Sequence, residues 1–97
     1  MSTLGLDLLL EQNTALIKKL NEQLTEYKQL PPKGFLGGFV KSTIIKALTY
    51  AISKNETALN KYFQGVNEDL VKVRDKFVKS TIIFDEVIQR KKHNLKA

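Results

Sequence analysis

The sequence predicts an all-α fold: an antiparallel helical hairpin or three-helix bundle with long, coiled-coil-like first and last helices. Three observations carry this. Apolar residues recur at alternating steps of three and four along most of the chain, the rhythm of a helix with one buried face. Two prolines and three glycines gather in one short stretch, residues 31–38, and punctuate that rhythm. The chain has 97 residues, enough for a single domain of 1–97 and close to the size at which one core gives marginal stability.

The first helix is read as about 3–30. Leu6, Leu9, Leu16, Leu20, Tyr27 and Leu30 form a seam that Asn13 and Gln23 complete, and Leu10, Ile17 and Leu24 form a second line beside it. A face this wide suits packing against more than one helix. Leu30-Pro31-Pro32 ends the helix, since proline lacks an N–H and restricts the residue before it. Phe35 and Leu36 within the turn are expected to tuck onto the end of the bundle.

A second helix is expected over about 39–53. Its apolar residues cover most of the circumference, which predicts burial on most sides; a membrane-surface reading of residues 35–53 as a cationic amphipathic helix is the weaker alternative. Ser53-Lys54-Asn55-Glu56 has the spacing of a capping box, serine to glutamate three residues on, and places a break near residue 54. One uninterrupted helix from 39 to about 90 is the alternative.

The third helix is expected over about 56–91. Its stripe is Leu59, Phe63, Val66, Leu70, Val73, Phe77, Ser80, Phe84 and Val87, with Gly65 off the stripe as a helix-weakening residue. At 1.5 Å per residue such a helix would span about 50 Å and overhang its neighbours. The overhang predicts a homo-oligomer or a protein partner, with Leu59, Phe63, Val66, Leu70, Val73, Phe77, Ile83, Phe84 and Asn13 as interface candidates. Asn13, polar within an apolar seam, is the kind of residue that fixes register in coiled coils.

Phe39-Val40-Lys41-Ser42-Thr43-Ile44-Ile45 recurs as Phe77-Val78-Lys79-Ser80-Thr81-Ile82-Ile83. The plain reading is two helical segments with similar packing needs; the sharper one is a contact motif used twice.

The net charge of +6 is unevenly placed. Residues 31–54 hold four lysines and no acid, and residues 87–97 hold Arg90, Lys91, Lys92 and Lys96 and no acid. The rest is slightly acidic. The candidate contacts for an anion or a nucleic acid are Lys33, Lys41, Arg90, Lys91, Lys92 and Lys96, the last four in a basic tail over 90–97. Basic residues also belong at a helix C-terminus on electrostatic grounds alone. If the second and third helices fold back on each other, the two basic segments meet at one end; if they are continuous, the segments lie far apart.

Nothing in the chain suggests an enzyme. Without cysteine there is neither a disulfide framework nor a thiolate metal site. His93 is the lone histidine and lies in the tail, away from any serine–aspartate pair that could complete a triad. Glu68-Asp69 and Asp85-Glu86 are adjacent, so their side chains diverge on a helix. No metal, cofactor or catalytic residue is expected. No apolar run reaches transmembrane length, and with no legible leader a cytoplasmic location is the default expectation.

These features point to a non-enzymatic helical interaction or assembly protein of the kind found among phage and mobile-element proteins. The alternative is a small basic nucleic-acid-binding protein. In size and in the mid-chain turn with Phe35-Leu36-Gly37, the chain also resembles the secreted WXG100 helical hairpins, though it lacks their tryptophan and carries the opposite charge balance. Bacteriocin immunity proteins offer an analogy of fold class alone, small bundles that bind a membrane-associated target.

Overall fold

In the computed structural model the chain forms three helices: α1 Thr3–Gln29, α2 Gly37–Phe63 and α3 Glu68–Lys96. Backbone is described for 3–32, 34, 36–66 and 68–96, and side chains for the same residues except 3, 4, 6 and 96. The helices pack against one another as a rod of 51 × 19 × 17 Å, with α2 antiparallel to α1 and α3. No strand occurs among the described residues.

Helix α1 follows its sequence pattern. Leu9, Asn13, Leu16, Leu20, Gln23 and Tyr27 are all buried, and Leu10, Ile17 and Leu24 are half-buried beside them. The seam faces two helices, as its width requires. Leu30 N–H donates to the Tyr27 carbonyl as the last turn closes before Pro31. Gly34, at φ +84°, then turns the chain, and the Gly37 N–H reaches the Gly34 carbonyl at 3.2 Å.

The break near residue 54 is not there. Helix α2 runs through Ser53-Lys54-Asn55-Glu56 without interruption to Phe63. Its buried seam holds Leu48, Ala51, Ile52, Asn55 and Ala58, steps of three and four that cross residue 54 on one face. Two alanines and an asparagine hid that seam. A capping box is a local preference of about 1 kcal/mol, whereas a break there would expose the whole seam beyond it.

The chain turns at Gly65 instead. The Val66 N–H donates to the Lys61 carbonyl at 2.8 Å and the Gly65 N–H to the Tyr62 carbonyl at 3.0 Å. These are the two bonds of a Schellman motif, which needs a left-handed residue after the helix end. Gly65 supplies it at φ +94°. Leu59 and Phe63 therefore belong to α2, and Val66 to the turn, rather than to the third-helix stripe. Leu59 is half-buried, while Phe63 is 68% exposed and Val66 48% exposed. From Leu70 onward the stripe holds: Leu70, Phe77 and Phe84 are buried, and Val73 and Val87 half-buried. Thr81 and Ile88 join them inside.

The shifted boundary removes two further expectations. The helices have 27, 27 and 29 residues, so α3 has no long overhang needing a second chain. Nor is α2 buried on most sides: Phe39 is 74% exposed, Tyr50 51% and Val40 48%.

The repeated heptapeptide occupies two unlike environments. Phe77 is 5% exposed against 74% for Phe39. Thr81 is buried and Thr43 exposed, while Ile44 and Ile45 are half-buried and Ile82 and Ile83 exposed. The same seven residues sit at different rotations about their helix axes, so shared packing needs do not explain them.

One core cluster contains Leu16, Leu20, Tyr27, Leu48, Phe77, Phe84 and Ile88, and a smaller one at the other end contains Leu9, Ala58 and Leu70. Polar side chains punctuate both. The Asn13 Nδ2 donates to the Leu9 and Leu70 carbonyls, tying α1 to α3. The Gln23 Nε2 donates to the Thr81 carbonyl and to Asp85 Oδ1, both at 2.8 Å. Asn55 Nδ2 reaches the Ala51 carbonyl one turn back. Asn13 Oδ1, Gln23 Oε1 and Asn55 Oδ1 accept no hydrogen bond. Asn13 thus spends its polar register within one chain, and with Leu70, Phe77 and Phe84 it is enclosed by the bundle rather than offered to a partner.

Candidate anion-docking end

Because α2 and α3 fold back at Gly65, the C-terminal turns of α3 return to the 31–38 connection. The two basic segments meet there. The end of α1 contributes Tyr27 and Lys28, the start of α2 contributes Leu36, Val40 and Lys41, and α3 contributes Val87, Arg90 and Lys91. Tyr27, Leu36, Val40 and Val87 wall a cavity of about 350 Å³ whose other lining includes Arg90 and Lys91.

Local structure holds this end together. Gly37 is buried, and a Cβ there would meet the Pro32 carbonyl carbon at 3.2 Å. A side chain at this position would push the Pro-Pro segment a few tenths of an ångström away from the first turn of α2. Leu36 does not tuck in as expected; it is 61% exposed. Phe35 lies outside the described residues.

Several cations converge. The Lys41 Nζ donates to the Lys28 carbonyl at 2.9 Å, helping to satisfy the C-terminus of α1. The Lys91 ammonium sits 5.0 Å from the centre of the Tyr27 ring, a cation–π distance. Desolvation, and then the neighbouring charge of Lys41, lower the Lys91 pKa below its ordinary value. Burial raises the Tyr27 phenol. Lys92 pairs with Glu26 and is thereby neutralised. Among the described residues, no carboxylate pairs with Lys41, Arg90 or Lys91.

Of the cations singled out from the sequence, the fold brings Lys41, Arg90 and Lys91 together and diverts Lys92 to a structural ion pair. Lys33 lies outside the described residues, as does the side chain of Lys96. Tyr27 and Val40 carry no chemical motif, and sequence reasoning placed them in the helical framework alone. Tyr27 as the last aromatic of the α1 seam, next to Pro31-Pro32, was the readable sign that this end holds a ring.

Of the interface candidates, Phe63, Val66 and Ile83 are exposed, Ile83 by 58%. Leu59 and Val73 are half-buried against the Leu9–Ala58–Leu70 cluster.

No family profile, curated protein or solved structure matches the chain. Among the described residues, no three His, Asp or Glu side chains gather as a metal site, and no helix is long and apolar enough to cross a membrane. His93 is exposed near the end of α3.

Proposed function

We propose that the chain is a non-enzymatic helical interaction protein that docks an anionic, partly apolar partner through the end where α1 finishes, α2 begins and α3 finishes. One observation carries this: Lys91 lines an apolar cavity, where desolvation and then the nearby charge of Lys41 disfavour its ammonium form, and among the described residues no carboxylate pairs with either lysine. Like charges held together in a partly desolvated place cost stability unless an anion joins them. An anion with an apolar body would satisfy the ammonium groups and cover Leu36 and Val40 together.

Decanoate, a carboxylate on an alkyl chain, is a suitable probe. Titration followed by NMR is expected to shift Tyr27, Val40 and Lys91, with the shifts abolished in the Lys41→Glu/Lys91→Glu variant. Equal shifts with neutral decanol, or none at all, would sink the proposal. Self-association is a separate matter. Exposed Phe63, Val66 and Ile83 are its remaining support, and a monomer by light scattering at low and high salt removes it.

A second reading, contact with nucleic-acid phosphates, is favoured by Phe39. Its exposed ring at the start of α2 provides a stacking group that the basic tail lacks. A salt-titrated gel shift with duplex and single-stranded DNA tests it, and absence of binding near 50 mM salt would remove it.

A further inference from the structure

We infer that the partner met by the basic end is an anionic lipid surface, which the rod approaches end-on; the inference rests on the docking reading above and names its partner. Two features coincide at that end. One is a group of protruding apolar side chains: Leu36 is 61% exposed, Phe39 74%, Val40 48% and Leu95 37%. The other is a set of cations, Lys41, Arg90 and Lys91, that pair with no carboxylate among the described residues, with Lys28 beside them. Stable attachment to a membrane takes this pair of signals together, apolar insertion and electrostatic attraction, because either alone is marginal.

The opposite end differs. There Lys61 is neutralised by Asp69 at 2.8 Å, and Glu68 and Asp69 begin α3. The charge is therefore polarised along the 51 Å axis, and a negative plane attracts the rod by one end. Lysine is depleted in protein–protein interfaces, which disfavours a protein partner for a lysine-rich tip. A phosphate backbone matches the cations and leaves Leu36 and Val40 uncovered. Lipid headgroups above acyl chains satisfy both chemistries: phosphates reach Lys41, Arg90 and Lys91 while Leu36 and Phe39 enter the interface. The cavity bounded by Tyr27 and Val87 then seats a headgroup or the upper part of a chain.

Sedimentation with vesicles tests this directly. The full chain is mixed with phosphatidylcholine vesicles and with vesicles containing phosphatidylglycerol, at about 50 mM and 500 mM salt. The expected result is binding to the anionic vesicles only, weakened at high salt, where charges are screened within a few Å. Each cation near an anionic surface contributes about fivefold to binding, so Lys41→Glu/Arg90→Glu is expected to lose at least 25-fold. Leu36→Ser/Phe39→Ser alters only exposed side chains and is expected to keep its helical circular dichroism and lose vesicle binding. Lys72→Glu, near the other end, is expected to bind as the unsubstituted chain does.

Anionic vesicles bound equally well by Leu36→Ser/Phe39→Ser, or equally weakened by Lys72→Glu, would show only the attraction of a basic protein to any negative surface and overturn the inference. No vesicle binding, with decanoate still engaging Lys41 and Lys91, would overturn the lipid partner and leave the docking reading standing. Failure of vesicles and decanoate alike would overturn both.

Discussion

Replacing Gly65 with alanine tests the turn that decides where both basic segments go. Gly65 sits at φ +94°, where an L-residue brings its Cβ against its own backbone. A Cβ built there meets nothing within 4 Å, so no steric clash with the rest of the protein contributes. The cost is the torsional one, about 1–2 kcal/mol. Gly38 is the matched control. It lies in the first turn of α2 without a positive φ, and its Cβ also meets nothing within 4 Å. Alanine there gains about 0.5 kcal/mol by restricting the unfolded chain. The same substitution at two open positions therefore shifts stability in opposite directions, by about 2 kcal/mol between them. Thermal unfolding followed by far-ultraviolet circular dichroism resolves this, since 1 kcal/mol moves Tm by about 4–8 °C in a domain of this size. A Gly65→Ala variant as stable as the Gly38→Ala variant would refute a left-handed turn at 65, and with it the meeting of the two basic segments.

Other outcomes follow from the core and its polar layers. Phe77→Ala is expected to cost about 3–5 kcal/mol and Phe63→Ala less than about 0.5 kcal/mol in urea unfolding, although both lay on one stripe in the sequence; equal costs would contradict the rotation of α2 and α3 described above. Asn55→Leu is expected to raise stability by about 1 kcal/mol in the same assay, because it removes a fully buried carbonyl oxygen that accepts no bond. Asp85 has its pKa lowered first by the hydrogen bond from Gln23 and then by that from Lys19, against desolvation. A depressed folded pKa gives stability that is present above the unfolded pKa of about 3.9 and lost as pH falls through the folded value. Asp85→Asn is accordingly expected to flatten the acid limb of stability against pH, and an unchanged limb would show that Asp85 is not ionised against Gln23 and Lys19.

What could be read from the sequence was what neighbouring residues decide among themselves. The α1 seam emerged residue for residue, Leu9 through Tyr27 with Asn13 and Gln23 included, because a regular three-four spacing survives two polar substitutions. Its end followed from Pro31-Pro32, whose effect is steric and immediate. The boundary between α2 and α3 was missed because two local signals competed. Ser53-Glu56 had the spacing of a cap, and Gly65 was read as a mere weakness, though a glycine followed shortly by the acidic pair Glu68-Asp69 has the chemistry of a helix end and a helix start. The stripe Leu59–Phe63–Val66–Leu70 crossed that turn in phase by coincidence, which no periodicity can reveal.

Tertiary packing alone settled which face of each helix turns inward. The heptapeptide shared by 39–45 and 77–83 shows this most directly. Identical residues have identical propensities, yet Phe77 is enclosed and Phe39 exposed, because burial depends on which neighbours a rotation about the helix axis brings into contact. The +6 charge was fixed by composition and its two basic segments by order along the chain. Their convergence on one apolar cavity was fixed by a single left-handed glycine 25 residues before Arg90, because a chain reversal places residues by distance in space, which sequence separation does not measure.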